Sequence, residues 1–339
     1  MTDLVTIDPH DEQALLAWFE AEQASIDHDR PRPISRTWGA LAGSARTPSP
    51  YIRRELVAAV EGDEVVGVAE LELPLRDNPH LAEVSVHVVP AHRRRGIGRL
   101  LFDEVDRRRR AAGRTTLLGE LLLPDPRERP AVEVAGEVAA GMAFSTALGF
   151  TSVHEEEHLA MPLPADRVRA DALRRATPGY EILTWRSRCP DELRAAYCRM
   201  RTQMAQDVPL GDVALVPTVM DEERLRTEEE RMAPLYHQVV AAARRTTDGE
   251  MAGYSLLFLP RDSLDALQDD TLVMPAHRGH GLGMQLKLAT LDVLRAEHPD
   301  RRLLHTWTDP TNTAMYRTNA AFGYTTAEIL HEMQRQDAG

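Results

Sequence analysis

The sequence predicts an α/β protein built as two tandem domains. A piece made of apolar strand, glycine-rich turn and amphipathic run occurs twice, 185 positions apart, with Gly98 in the first copy matching Gly283 in the second. A β-hairpin signal precedes each copy. The length of 339 residues suits two ordinary domains, and an apolar content of 43% is enough for two cores.

The elements follow in order. Asp11–Ser25 predicts a helix with Leu15, Leu16 and Phe19 on one face. A loop with Pro31, Pro33, Pro48 and Pro50 comes next. Glu55–Glu61 and Glu64–Leu73 form a hairpin through the turn Gly62-Asp63. Leu81–Val89 is a strand that enters the first glycine turn. Ile97, Leu101 and Val105 then recur at helical spacing while Asp103, Asp106 and Arg107 face out. Thr115–Leu123 is a strand, and the unit closes at Ala147-Leu148-Gly149-Phe150 with one more strand. Residues 162–180, with Pro162, Pro164 and Pro178, read as a linker between domains 1–161 and 181–339. The second domain repeats the plan: helix Asp191–Gln206, a loop with Pro209 and Pro217, and a hairpin of His237–Arg244 and Met251–Leu259 turning at Asp248-Gly249. Strand Asp269–Met274 follows, then a helix with Leu282, Leu286, Ala289 and Val293 inward, strand Arg302–Thr308, and the closing Ala321-Phe322-Gly323-Tyr324. From Gly98 to Gly149 is 51 residues and from Gly283 to Gly323 is 40. The surplus lies near Leu123–Ala140, a lid, a partner surface or a simple insertion.

The repeated turn has the chemistry of an anion cradle. Gly96 and Gly98, like Gly281 and Gly283, can take backbone angles barred to other residues and leave no side chain in the way. A glycine turn opening a helix aims free N–H groups at one spot, where the helix dipole also favours negative charge. The dipole is worth roughly 0.3–1 kcal/mol when exposed. Several charge-assisted bonds to one pyrophosphate are the larger effect. Arg93, Arg94 and Arg95 add charge in the first copy, and Arg278 and His280 in the second. His92 and His277 occupy the same place in both copies and suit turn structure or phosphate contact. The run Arg107–Arg110 reads as a solvated face at a helix end.

Composition narrows the partners. A formal net charge of −13 argues against nucleic acid or an anionic membrane and suits a cationic small molecule such as an amine. Two cysteines, Cys189 and Cys198, make neither a zinc pattern nor a disulfide framework, which predicts a reducing cytoplasm and two buried spectator thiols. The N-terminus lacks a signal pattern, and no apolar run reaches membrane-spanning length.

With both cradles and both endings in view, the chain resembles the GNAT superfamily of N-acetyltransferases. The resemblance rests on Arg93-x-x-Gly96-x-Gly98 and Arg278-x-x-Gly281-x-Gly283, on Leu148-Gly149-Phe150, and on Asn312-x-x-Met315 followed by Phe322-Gly323-Tyr324. It covers nearly the whole chain as two units, each implied to be a mostly antiparallel mixed β-sheet flanked by helices. It implies acetyl-CoA as acyl donor, no metal, and direct attack by a neutral amine. It implies that Arg93, Arg94, Arg95, Gly96, Ile97, Gly98 and Arg99 hold the CoA pyrophosphate in one copy, and Arg278, Gly279, His280, Gly281, Leu282, Gly283 and Met284 in the other. Val88 and Val89, or Val273 and Met274, would carry the pantetheine arm, and Asn312 would contact it. A backbone N–H of that strand would polarise the thioester carbonyl.

The catalytic positions depart from the family pattern. The tyrosine that often serves as acid, four residues before the closing glycine, is replaced by Ser145 and Asn319. A departing thiolate, pKa about 8.5 for a free thiol, tolerates a missing acid better than most leaving groups. Tyr316, one turn earlier, is a substitute candidate or a packed helix residue. Candidate bases are Glu83 and His87 on one strand face, and Asp269 and Asp270 on opposite faces of the other strand, with Asp270 preferred there. Asn312 has Val138 as its counterpart, so the second unit is expected to do the chemistry. The expected function is acetyl transfer to a small-molecule primary amine, by a monomer or homodimer. Acetylation of a protein lysine or N-terminus, and a silent CoA sensor or scaffold, are the other classes.

Overall fold

The computed structural model describes residues 1–28, 30, 32–125 and 140–337, which fall into two compact units. Unit 1 comprises Met1–Glu155, Leu210–Val216 and Glu328–Gly339; unit 2 comprises Glu156–Pro209 and Pro217–Ala327.

Unit 1 opens with β1 (Asp3–Thr6), α1 (Glu12–Ile26) and α2 (Trp38–Arg46). Asp11 caps α1 by accepting the Ala14 N–H, and Thr37 caps α2. The hairpin β2 (Ile52–Glu61) and β3 (Glu64–Pro74) turns at Gly62-Asp63. Then follow β4 (Leu81–Val88), α3 (Ile97–Ala111), β5 (Thr116–Pro124), a helix α4 at 140–147 and β6 (Thr151–Pro162). The surplus segment, with Val138, lies largely outside the described residues. Ile97, Leu101, Phe102 and Val105 of α3 pack on one sheet face with Val57, Ala69 and Leu71. Leu15 and Trp18 of α1 and Leu41 of α2 cover the other with Leu56 and Val68. Each fully buried side chain of this size is worth about 1.5–3 kcal/mol. Leu16, expected inside, is exposed; Trp18 takes the inward position instead.

Unit 2 contains α5 (Arg167–Ala172), β7 (Tyr180–Arg186), α6 (Arg194–Asp207), α7 (Glu222–Met232), β8 (Tyr236–Arg245), β9 (Met251–Pro260), β10 (Asp265–Val273), α8 (Leu282–Glu297), β11 (Leu303–Thr308) and α9 (Thr313–Phe322). The strand β12 (Thr325–Gln336) ends the chain's regular structure. Leu288, Leu291 and Leu294 of α8 pack on Val239, Leu257 and Leu259. Tyr197 and Met200 of α6 and Leu225 of α7 cover the opposite face with Tyr254 and Leu256.

Strand order is β1-β2-β3-β4-β5-β12 in unit 1 and β7-β8-β9-β10-β11-β6 in unit 2. The described ladders are antiparallel except β4 with β5 and β10 with β11, the pairs joined through a helix. The units are not contiguous halves of the chain. From Glu157 to Pro162, β6 pairs with β11 of unit 2, while β12 pairs with β5 of unit 1 from Glu328 to Gln336. Each copy ends in a strand, and a similar edge awaits it in either unit, so nothing local decides which edge it joins. Residues 162–180, expected as a linker, contribute Ala165 and Ala170 to the core of unit 2. Among the described residues no helix is long and apolar enough to cross a membrane.

Candidate active site

The two cradles share one main-chain shape. Arg94 and Gly96 have φ of 64° and 85°; Gly279 and Gly281 have 85° and 72°. The left-handed conformation costs a side-chain-bearing residue roughly 1–2 kcal/mol, which Arg94 bears and Gly279 does not. Gly96 and Gly281 are the N-caps of α3 and α8, and neither helix start has a side-chain cap. The opening N–H groups of both helices thus form a nest suited to an anion. The main chain fits a pyrophosphate in both units.

The charged side chains around the nests have other duties. Arg93 donates to the carbonyls of Val88 and Ser25, and Arg278 donates to Val273 O and Asp207 Oδ2. Each ties the end of a preceding helix to the strand entering the cradle. Arg95 bonds Glu61 at 2.9 Å, and Arg99 pairs with Asp103 one turn along α3. Arg94 and His280 are exposed at the turns. His92 lies 3.4 Å from Glu64, and His277 is buried with Nδ1 3.0 Å from the Tyr180 hydroxyl, so both histidines pin the turn to its own unit. The arginine run at the end of α3 is not simply solvated. Arg109 is fully buried, paired with Asp106 and Asp337.

Beyond each cradle the parallel strands part. β4 pairs with β5 only from Leu81 to Glu83, and β10 with β11 only from Asp265 to Leu267. Val84–Val88 and Gln268–Val273 therefore flank a slot. The second cradle glycine faces it. A Cβ on Gly98 would lie 3.3 Å from the Phe144 ring of α4 and 3.5 Å from Val88. Among the described residues a Cβ on Gly283 would meet only Val273 and Thr271, at 3.7 and 4.0 Å. The slot of unit 1 is thus lined by an aromatic ring where that of unit 2 has room.

The strand of unit 2 also carries a bulge. Gln268 lies opposite Leu257 but Thr271 opposite Ser255, three positions on β10 against two on β9. Such a bulge leaves a residue unpaired and re-aims side chains. Gln268 and Thr271 both bond Ser255, so Asp269 and Asp270 project together from the other face. This corrects the expectation that they point to opposite faces, which a regular strand would require. The Tyr254 hydroxyl donates to Asp270 at 2.5 Å, and Arg201 of α6 stands 3.4 Å away. Solvent reaches Asp269, yet protein crowds it. Burial, with Asp270 adding repulsion, pushes its carboxyl up to about 7 against the pull of Arg201. On the same face His305 and His158 lie 2.9 Å apart, fully buried, with Trp307 stacked on His158.

β4 of unit 1 has no such shift from Glu83 to Val88. Its face carries carboxylates instead. Glu72 lies opposite Glu83, and Glu120 opposite Glu332. Arg54 pairs with Glu70 and Glu72, and Arg36 with Glu22 and Glu70. Solvent reaches Glu83, yet crowding by protein, then Glu72 and Glu120, push it up to about 7. Burial holds His87 down at about 4, so it is neutral at ordinary pH.

The remaining positions fall as follows. Asn312 caps α9, its Oδ1 accepting the Met315 N–H at 3.2 Å. Tyr316 is 39% exposed, not packed in the helix. Asn319 is wholly buried and held by Lys287 and Thr308. Val89 and Met274 bond the neighbouring strand through Val66 O and Ala252 O. Both cysteines are free and buried, and burial pushes Cys189 up to about 12, no nucleophile at neutral pH. Among the described residues no cluster suits a metal.

Comparison with known proteins accords with this geometry. Residues 13–141 match the Acetyltransferase (GNAT) family model. A tandem GNAT protein from the clavulanic acid biosynthesis pathway superposes with a TM-score of 0.84 at 26% identity, covering 100% of this chain and 99% of that one. A GCN5-related N-acetyltransferase from Sphaerobacter thermophilus gives 0.67 at 16% identity over 99% and 95%, a likeness of fold alone. So does Saccharomyces cerevisiae N-myristoyltransferase, at 0.60 and 10% identity over 99% and 80%. No curated protein sequence matches significantly. With a glycine nest and a parted pair of parallel strands in each unit, the whole chain has the fold of a tandem GNAT protein, and its first unit matches the GNAT acetyltransferase family.

Proposed function

We propose that this enzyme transfers an acetyl group from acetyl-CoA to the primary amine of a small molecule, by direct attack, in unit 2. One observation carries the reading: β10 brings a nest with room beside Gly281 and Gly283 together with a crowded carboxylate, Asp269, at its bulge. The nest at Gly279–Met284 would hold the pyrophosphate, and Val273 and Met274 the arm. When bound, the thioester supplies an activated acyl carbon and a thiolate leaving group. Asp269 replaces Asp270 as the preferred base, because Asp270 is already engaged by Tyr254 and Arg201. A base near 7 takes the proton that the amine nitrogen must lose as it bonds to the acyl carbon, without being permanently protonated itself. Holding amine and acyl carbon together supplies much of the acceleration. The related tandem protein, described in a form without AcCoA, supports the choice of donor. Two buried free thiols suit a reducing cytoplasm.

A second reading has its own support. The carboxylates of unit 1, with Glu83 raised to about 7, suit a cationic acceptor and a base in that unit. Either reading predicts CoA release from acetyl-CoA that depends on an added primary amine. A panel of mono- and diamines, measured by thiol release and by mass of the product, should show amide formation. A chain that binds CoA but acetylates no small amine refutes the small-molecule reading.

A further inference from the structure

The chain has 40 lysines and arginines together, and one of them is a lysine: Lys287. Every other permanent cation is arginine. The exception is only 4% exposed, on α8, one turn beyond the cradle glycine Gly283. Positions four apart share a helix face, so Lys287 follows Gly283 on the side that looks toward β10. Its Nζ donates to Asn319 Oδ1 of α9 at 2.5 Å, and Asn319 Nδ2 donates to Thr308 Oγ1 of β11 at 2.8 Å. The Tyr324 ring lies 5.4 Å from the ammonium. Thr308 stands three residues past the last β10–β11 pair, where the slot is open. The groups shown against the Lys287 amine are thus an amide and a phenol ring, with the Thr308 hydroxyl behind the amide, and among the described residues no ion pair joins it to a carboxylate. The matching position in the first copy is Phe102, an aromatic core residue.

A buried ammonium without a counter-charge is costly, and here burial alone lowers the amine to about 7. Arginine cannot release its proton in such a place; lysine can. We propose that Lys287 stands beside the sulfur of the acyl donor and meets the charge that builds there as the thioester breaks. The inference rests on the reading of unit 2 as the active unit. The acceptor nitrogen forms the C–N bond, the C–S bond breaks, and its electron pair goes to sulfur. The proton from the nitrogen goes to Asp269, and the Lys287 ammonium gives one to the thiolate or holds it as an ion pair. Lys287 thus takes the part for which Tyr316 and Asn319 were candidates, with Asn319 positioning its amine.

A lone lysine can be watched directly. In protein labelled with isotopic lysine, a single side-chain NMR signal reports the protonation of Lys287. With CoA bound, its titration should move up in pH as the thiolate stabilises the ammonium, and it should not move with desulfo-CoA. The ultraviolet absorbance of the bound CoA thiolate should titrate below the free-thiol value of about 8.5 and return to it in Lys287→Met. The same variant should lower kcat by about 10²-fold with KM for the donor little changed, and Lys287→Arg should not restore the rate. A lysine signal that responds identically to CoA and desulfo-CoA, with CoA demonstrably bound, overturns the proposal and leaves the unit 2 reading standing. Failure of CoA to perturb any signal of unit 2 sinks that reading instead.

Discussion

Asp269 and Asp270 share a face only because β10 carries one residue more than its partner across the bulge. That one insertion places a carboxylate in a crowded but hydrated position, where burial and its neighbour raise it to about 7. As a base it must be ionised, so kcat/KM should rise with pH through about 7 and then level. Asp269→Asn should remove that limb and cost about 10²–10⁴ in rate. Glu83→Gln should leave both unchanged if unit 2 works; the reverse pattern, read from pH–rate profiles of the two variants, would move the chemistry to unit 1. Strand alternation in the sequence places Glu83 with His87 correctly in principle, but it cannot reveal a bulge, which depends on how many residues of the neighbouring strand are spanned. Lys287 was equally hidden. Its spacing puts it on the inner face of α8, yet a lysine there is ordinarily assigned to solvent until its partners on α9 and β11 are known.

At the level of elements, local patterns carried most of the fold. Capping residues such as Asp11, the turns Gly62-Asp63 and Asp248-Gly249, and apolar spacing along α3 and α8 place helices and hairpins within a few residues of their observed ends. The nests were legible as well, because glycine at 96 and 281 answers a main-chain requirement that the sequence states outright. The arginines beside them have a second duty that the sequence does not state. A guanidinium near a nest also finds carbonyls and carboxylates of its own unit, and Arg93, Arg95 and Arg278 bond these. Anion affinity in this protein should therefore reside more in main-chain N–H groups than in side-chain charge.

Across the whole molecule, the destination of the two terminal strands was the least legible feature. Only long-range pairing assigns β6 to β11 and β12 to β5. Unit 1 consequently depends on the last twelve residues of its membership, Glu328–Gly339. Deleting them removes the β5–β12 ladder, the Arg30–Glu328 pair and Asp337, one of the two carboxylates paired with buried Arg109. Hydrogen exchange should show β5 amides losing protection while those of α8 keep theirs; unchanged protection at β5 would contradict the assignment. The central claim is that the nest of unit 2 holds the donor for the chemical step. Single-turnover acetylation by Gly281→Glu and Gly96→Glu tests it most directly, since both replace a left-handed glycine at the same point of the same main chain. The account predicts that Gly281→Glu abolishes product formation while Gly96→Glu keeps most of it, and the opposite ranking would contradict it.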